Sequence, residues 1–330
     1  MRNVLQKIGS EIIDFLVGGS GLMSSEAVLQ LRNVSKRIGK RTIVDQMSFD
    51  VPAGEVFGFL GPNGAGKTTT IRMIVGLISM TSGEIYVKGI PVHKQFEQAM
   101  THIGAIVENP EMYKFLTGYQ NLVYYGRRHS GVTKERIDEV VKLVGLENRI
   151  HEKVKRYSLG MRQRLGVAQA LLHKPSVLIL DEPTNGLDPA GIRELRDYLR
   201  NLAHQEGISV VVSSHLLSEM ELMCDRVAII QTGKLIDVRS MRQLKEKADT
   251  QHIVIDVDNP REAWEMLSAM MPDLDMHVDE GQLHISAGRK RVPDLTRALV
   301  HADIDVYGIQ AANLSLEDQF LELTGGERIV

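Results

Sequence analysis

The chain has 330 residues, 43% of them apolar and 25% charged, with 39 basic against 42 acidic side chains for a formal net charge of −3. That balance describes one large globular domain or two ordinary ones, and excludes a wholly disordered chain, a collagen-like repeat and a globally basic nucleic-acid binder. A single cysteine, Cys224, excludes an internal disulfide and any metal site built on several thiolates, and fits a reducing, cytoplasmic compartment.

Residues 1–25 read as an N-terminal extension. Val4, Leu5, Ile8, Ile12, Ile13 and Leu16 recur at helical spacing, while Lys7, Glu11 and Asp14 spoil a signal-peptide core. Gly18-Gly19-Ser20-Gly21 then reads as a linker, and Met23 stands just before the first domain, so the extension is either a surface helix or a product of start-site choice. No stretch reaches the roughly 18 consecutive apolar residues of a membrane-spanning helix.

A strand over 28–34, a turn at Gly39 and a second strand over 47–51 make an antiparallel pair. The run 55–60 is a buried strand that leads into a glycine-rich turn, followed by a helix over 68–78. From 118 to about 150 the pattern is helical, with Ile137, Val140, Val141 and Val144 on one face. A helix over 159–173, a strand over 177–180, a helix over 190–204 and strands over 209–213 and 226–231 complete the set. Strands without polar alternation, alternating with helices, predict a mostly parallel sheet covered on both faces. The first domain spans 26–243, with a helical subdomain over about 110–165. Beyond Lys247 the pattern resets to a strand (252–258), a helix (261–271), paired strands (274–278 and 283–287), a helix (292–301) and a strand (304–310). That βαββαβ order predicts a small ferredoxin-like accessory domain over 250–330. Ser315 and Asp318 open a last helix over 316–323, which Gly325-Gly326 ends.

The chemistry concentrates in two segments. Gly61-Pro62-Asn63-Gly64-Ala65-Gly66-Lys67-Thr68 matches the phosphate-loop pattern, with Thr69 next in the helix. Glycines let the backbone approach a phosphate chain, helix N–H groups point at it, Lys67 brings a positive charge, and the Thr68 hydroxyl suits Mg²⁺. Val177-Leu178-Ile179-Leu180-Asp181-Glu182 brings two acids to the C-terminal end of a buried strand, where open α/β sheets bind ligands. Asp181 suits Mg²⁺, and Glu182 suits a base for an attacking water.

With these residues the chain resembles the ATP-binding cassette (ABC) ATPases. Tyr157-Ser158-Leu159-Gly160-Met161-Arg162-Gln163-Arg164 is similar to that family's signature motif. Ser158 and Gly160 keep the family's serine and second glycine, Leu159 replaces the first glycine, and Met161 replaces the usual glutamine. The resemblance implies that this segment caps the γ-phosphate of ATP held by a second copy. It also implies a D-loop at Asn185-Gly186-Leu187-Asp188, a γ-phosphate-sensing switch at His215, and an adenine contact at Ile38 in place of the usual aromatic ring. The family's Q-loop glutamine falls on Glu108, which implies a carboxylate in reach of Mg²⁺ or its water and a stronger dependence on the metal; the substitution resembles the bacitracin-resistance and lantibiotic-immunity exporter subgroup.

The implied fold is a P-loop ABC cassette: a mostly parallel sheet with antiparallel β and helical subdomains, plus the C-terminal α+β domain. The implied protein is an ATPase subunit, with ATP and Mg²⁺ as cofactors, working as a homodimer with separate membrane-spanning permease subunits at the inner face of the cell membrane. Segment 108–125 is then the docking surface for the permease, and no nucleic acid is expected. The rival reading is a non-transport ABC ATPase acting as a switch on ribosome or DNA. Against it stand the single cassette and the short interval between Lys67 and Ser158, which leaves no room for a coiled-coil arm.

Overall fold

The computed structural model describes residues 27–243, 250–279 and 281–312. The extension at 1–25 and the helix expected over 316–323 lie outside the described residues.

Strands β1 (Ala27–Ile38) and β2 (Arg41–Pro52) pair antiparallel through a turn at Gly39, whose φ of +59° suits a residue without Cβ. Both are longer than the sequence pattern indicates. Their ladder carries several register shifts, and each shift breaks the period-two alternation by which a strand is recognised. Strand β3 (Val56–Leu60) is buried at every position. Helix α1 (Lys67–Ile74) follows the glycine-rich turn and stops short of the expected Ile78. Gly76, at φ +73°, lets the N–H of Leu77 turn back to the carbonyl of Arg72 at 2.8 Å, a Schellman ending that terminates the helix.

Four short elements then appear that the sequence reading does not assign: β4 (Ser82–Val87), β5 (Ile90–Pro91), α2 (Phe96–Met100) and β6 (Ile103–Ile106). The helical stretch resolves into α3 (Gly118–Gly126), α4 (Lys134–Leu143) and α5 (Leu159–Leu171). Strand β7 (Val177–Leu180), helix α6 (Pro189–His204), β8 (Ser209–Ser214), α7 (Leu217–Met223), β9 (Arg226–Gln231) and β10 (Lys234–Ser240) follow. Helix α7 and strand β10 are likewise not assigned by the sequence reading.

The central sheet has the order β10-β9-β3-β8-β7-β6, parallel throughout except for the antiparallel edge strand β10. Its strands are buried on both faces, which is why they read as continuous apolar runs. In β7, Leu178 and Leu180 face a core shared with α4, α5 and α6, while Val177 and Ile179 face a second core shared with α1 and the antiparallel sheet β2-β1-β4-β5. Phe49, Phe57 and Phe59 meet in that second core at ring-centroid distances of 5.1–5.9 Å. Cys224 is a buried core thiol whose Sγ lies 3.4 Å from Met220 Sδ, and burial pushes its pKa up.

The C-terminal residues form β11 (Thr250–Val257), α8 (Pro260–Met270), β12 (Asp275–Asp279), β13 (Gln282–Gly288), α9 (Val292–His301) and β14 (Val306–Ala312). Their sheet, ordered β12-β13-β11-β14, is wholly antiparallel, the ferredoxin-like arrangement, and has its own core of Ile253, Ile255, Leu267, Leu283, Ile285 and Leu295. Among the described residues no helix is long and apolar enough to cross a membrane.

Candidate functional site

The site begins where β3 leaves the sheet. A Cβ on Gly61 would stand 2.1 Å from the carbonyl oxygen of Ile230, so the chain passes the end of β9 only as glycine. Gly64 and Gly66, at φ +81° and +103°, then curl the loop into the start of α1. That helix has no side-chain cap and no acid in its first turn, so its leading N–H groups and the positive end of its dipole face the loop. Ala65 N donates to the Pro62 carbonyl at 3.1 Å, which closes the loop on itself.

Lys67 is only 5% exposed. Its Nζ donates to the carbonyl oxygens of Gly61 at 2.7 Å and Pro62 at 3.3 Å, and lies 3.4 Å from Glu182 Oε1. A buried ammonium needs such partners, and an anionic ligand in the loop would compete for it. Thr69 is half-buried in the same first turn.

The parallel register sets the acids opposite. Asp181, 4% exposed, accepts hydrogen bonds on Oδ1 from Ser213 Oγ at 2.6 Å and from Thr68 Oγ1 at 3.3 Å. Glu182 has a φ of +47°, and its N–H donates to the same Ser213 hydroxyl at 2.8 Å. Its Oε2 lies 3.0 Å from His215 Nδ1. The structure therefore brings together Gly61, Lys67, Thr68, Asp181, Glu182 and His215 at the C-terminal edge of β3, β7 and β8.

Four further residues beside this group are not singled out by the sequence. Ser213 bridges the two acids, and Glu219 Oε2 accepts from both Thr184 Oγ1 and Ser214 Oγ at 2.7 Å, tying the loop after β7 to the end of β8. The available signal is the hydroxyl pair Ser213-Ser214 that directly follows the apolar run Val210-Val211-Val212.

Other expected residues stand apart. Ser158 caps α5 by accepting from Met161 N at 3.2 Å, and Asp188 caps α6 by accepting from Gly191 N at 2.9 Å. These two turns meet each other. Leu159 Cδ2 sits 2.9 Å from where a Gly186 Cβ would be, and Leu187 Cδ2 sits 3.7 Å from the corresponding point on Gly160. Ile38 is 60% exposed at the β1–β2 hairpin end. Glu108 is not turned onto the Thr68–Asp181 pair. It forms an ion pair with Arg72 Nη2, and its backbone φ is +68°.

A family model described as ABC transporter matches residues 44–185, a span that includes the phosphate loop, the Ser158 turn, Asp181 and Glu182. The chain is 55% identical over 301 residues to the uncharacterized ABC transporter ATP-binding protein YhcH of Bacillus subtilis (strain 168), a match that covers 91% of this chain and 97% of the relative. The chain belongs to the ABC transporter ATP-binding proteins. It is accordingly an ATP-binding subunit and an ATPase. A 40% identity over 304 residues relates it to the bacitracin transport ATP-binding protein BcrA of Bacillus licheniformis, covering 92% of this chain and 99% of that one. A solved structure titled as the ATP-binding subunit of an ABC transporter matches with a TM-score of 0.59 at 26% identity, over 66% of this chain and 92% of that chain.

Proposed function

We propose that this ABC ATPase drives an exporter through separate permease subunits, that two copies sandwich two ATP molecules, and that the cargo is a peptide antibiotic. The observation that carries the nucleotide part is the convergence of Lys67, Thr68, Asp181, Glu182 and His215 on one sheet edge. In this reading Lys67 exchanges its two carbonyl partners for phosphate oxygens, and the α1 N–H groups hold the rest of the phosphate chain. Gly64, Ala65, Gly66 and Thr69 contribute backbone donors, Pro62 and Asn63 shape the turn, and Ile38 makes an apolar contact with the base. Glu182 takes the proton of the attacking water, and His215 holds the Glu182 carboxylate in place.

The paired Thr68 hydroxyl and buried Asp181 carboxylate form an all-oxygen donor set that fits a hard divalent cation. Mg²⁺ bound there would neutralise developing phosphate charge. Ser158, Leu159, Gly160 and Met161 would face the γ-phosphate of a second copy, with Asp188 along the same interface.

The docking surface proposed for the permease is segment 108–125. It carries an exposed aromatic cluster of Tyr113, Phe115 and Tyr124 packed with Tyr125, and the Arg128 guanidinium lies over two of those rings. The cluster is held in shape before any partner arrives. Asn121 exchanges hydrogen bonds with the Tyr113 backbone at 2.9 and 3.1 Å, and Thr117 with Gln120 forms a capping box at the start of α3. An exposed aromatic patch of this kind suits a protein partner. The relationship to BcrA supports export and the antibiotic cargo. Glu182→Gln should bind ATP and hydrolyse it about 10²–10⁴-fold more slowly. It should also trap an ATP-bound dimer with a co-expressed permease. Near wild-type turnover removes Glu182 as the base, and a strictly monomeric variant beside the permease overturns the sandwich.

A further inference from the structure

We propose that Arg72 is a positioning residue for Glu108: its guanidinium holds this carboxylate off the phosphate-loop site until nucleotide and a divalent cation recruit it. The proposal rests on the nucleotide reading above and adds a control element to it.

Strands β6 and β7 are in register at Ile106 and Leu180, and Asp181 N donates to the Ile106 carbonyl at 3.0 Å. Glu108 and Asp181 therefore leave neighbouring strands at the same end of the sheet. Glu108, Gln163 and Asp181 also line one narrow crevice between β7 and α5. The Glu108 side chain nevertheless points outward. It is 62% exposed and is paired with Arg72, in the last turn of the helix that Lys67 begins.

Two physical pressures act on this carboxylate. With Asp181 and Glu182 already at the strand ends and Lys67 the nearest buried cation, a third uncompensated acid would repel incoming phosphates. A divalent cation reverses that preference, because it takes carboxylate oxygens readily. Arg72 neutralises Glu108 in the meantime. The pair is surface-exposed, so its hold is weak and reversible rather than structural. The left-handed backbone at Glu108, φ +68°, belongs to a residue that carries a side chain, and such conformations cluster at active sites, ligand clamps and switch regions.

The test uses the full chain and a fluorescent N-methylanthraniloyl ATP, titrated with Mg²⁺ and again in EDTA. Arg72→Gln should tighten the Mg²⁺-bound probe by about two- to five-fold, the range of an exposed ion pair. In EDTA it should weaken the probe or leave it unchanged. In a Glu108→Gln background the Arg72→Gln effect should vanish, and Arg72→Lys should restore wild-type behaviour in part. An equal shift with and without Mg²⁺, or effects of Arg72→Gln and Glu108→Gln that simply add, overturns the latch. Lys67→Ala separates the two levels of the argument. If the unmodified chain binds the probe no better than Lys67→Ala, the nucleotide reading falls and the latch falls with it. If only Lys67→Ala loses binding while the Arg72 effects are additive, the latch alone is wrong.

Discussion

Ser213→Ala tests whether one hydroxyl organises both acids of the site. In the structure Ser213 is fully buried, donates to the Asp181 carboxylate at 2.6 Å and accepts from Glu182 N at 2.8 Å. A hydrogen bond to a buried charge is worth about 1.5–3 kcal/mol, and the second, partly buried bond about 0.5–1 kcal/mol more. Removing one oxygen opens no sizeable cavity, so the expected loss is about 2–4 kcal/mol, measured by chemical denaturation. Turnover should fall as well. Glu182 sits at φ +47° and the Ser213 bond is one of the contacts that hold it there, so kcat should drop by about 10-fold or more while KM changes little. A double-mutant cycle with Asp181→Asn should give a coupling of about 1 kcal/mol or more. A variant within about 0.5 kcal/mol of wild type, with unchanged kcat and additive energies, would refute the reasoning.

Three further outcomes follow from the same geometry. Gly61→Ala puts a Cβ 2.1 Å from the Ile230 carbonyl, both of them backbone-fixed, so the loop must shift; nucleotide binding should be lost and the melting temperature should drop, and intact binding in a direct titration would contradict the close approach. Lys67→Ala should weaken ATP affinity at equilibrium, and an unchanged dissociation constant would remove Lys67 from the phosphate site. Burial pushes the Tyr157 hydroxyl up to about 12, from an ordinary value of about 10. Its contribution to stability is complete below the unfolded value and disappears as pH rises through the folded one. Melting temperature should therefore fall between about pH 10 and 12, less steeply in Tyr157→Phe, which loses only the bond to the Arg149 carbonyl at 2.8 Å. Identical slopes would show that another group titrates there.

What the sequence discloses, and what it hides, follows from the range of each interaction. The phosphate loop, the strand-end acids Asp181 and Glu182 and the helix cap at Ser158 lie in contiguous segments, each with a local composition. Ser213 meets Asp181 through the register of β7 and β8, Glu219 reaches Thr184 from α7 beyond β8, and Arg72 reaches Glu108 from the last turn of α1, so no single segment contains any of these pairs. The two-residue β5 and four-residue β6 are too short to carry a period, and the bulged β1–β2 ladder loses its alternation although the pairing continues. Helix α1 ends early for a reason visible in sequence, Gly76, whose left-handed turn overrides the apolar run that continues to Ile78.

The concealed thiol has a practical outcome. Cys224 is the chain's sole cysteine, shielded behind Met220 and reluctant to ionise, so maleimide reagents should pass the folded protein by. A cysteine introduced at an exposed loop position then becomes a unique attachment point without prior removal of the native one. Spin labels or dye pairs placed on the Glu108 and Ser158 loops could follow nucleotide-dependent distances in an otherwise unaltered molecule.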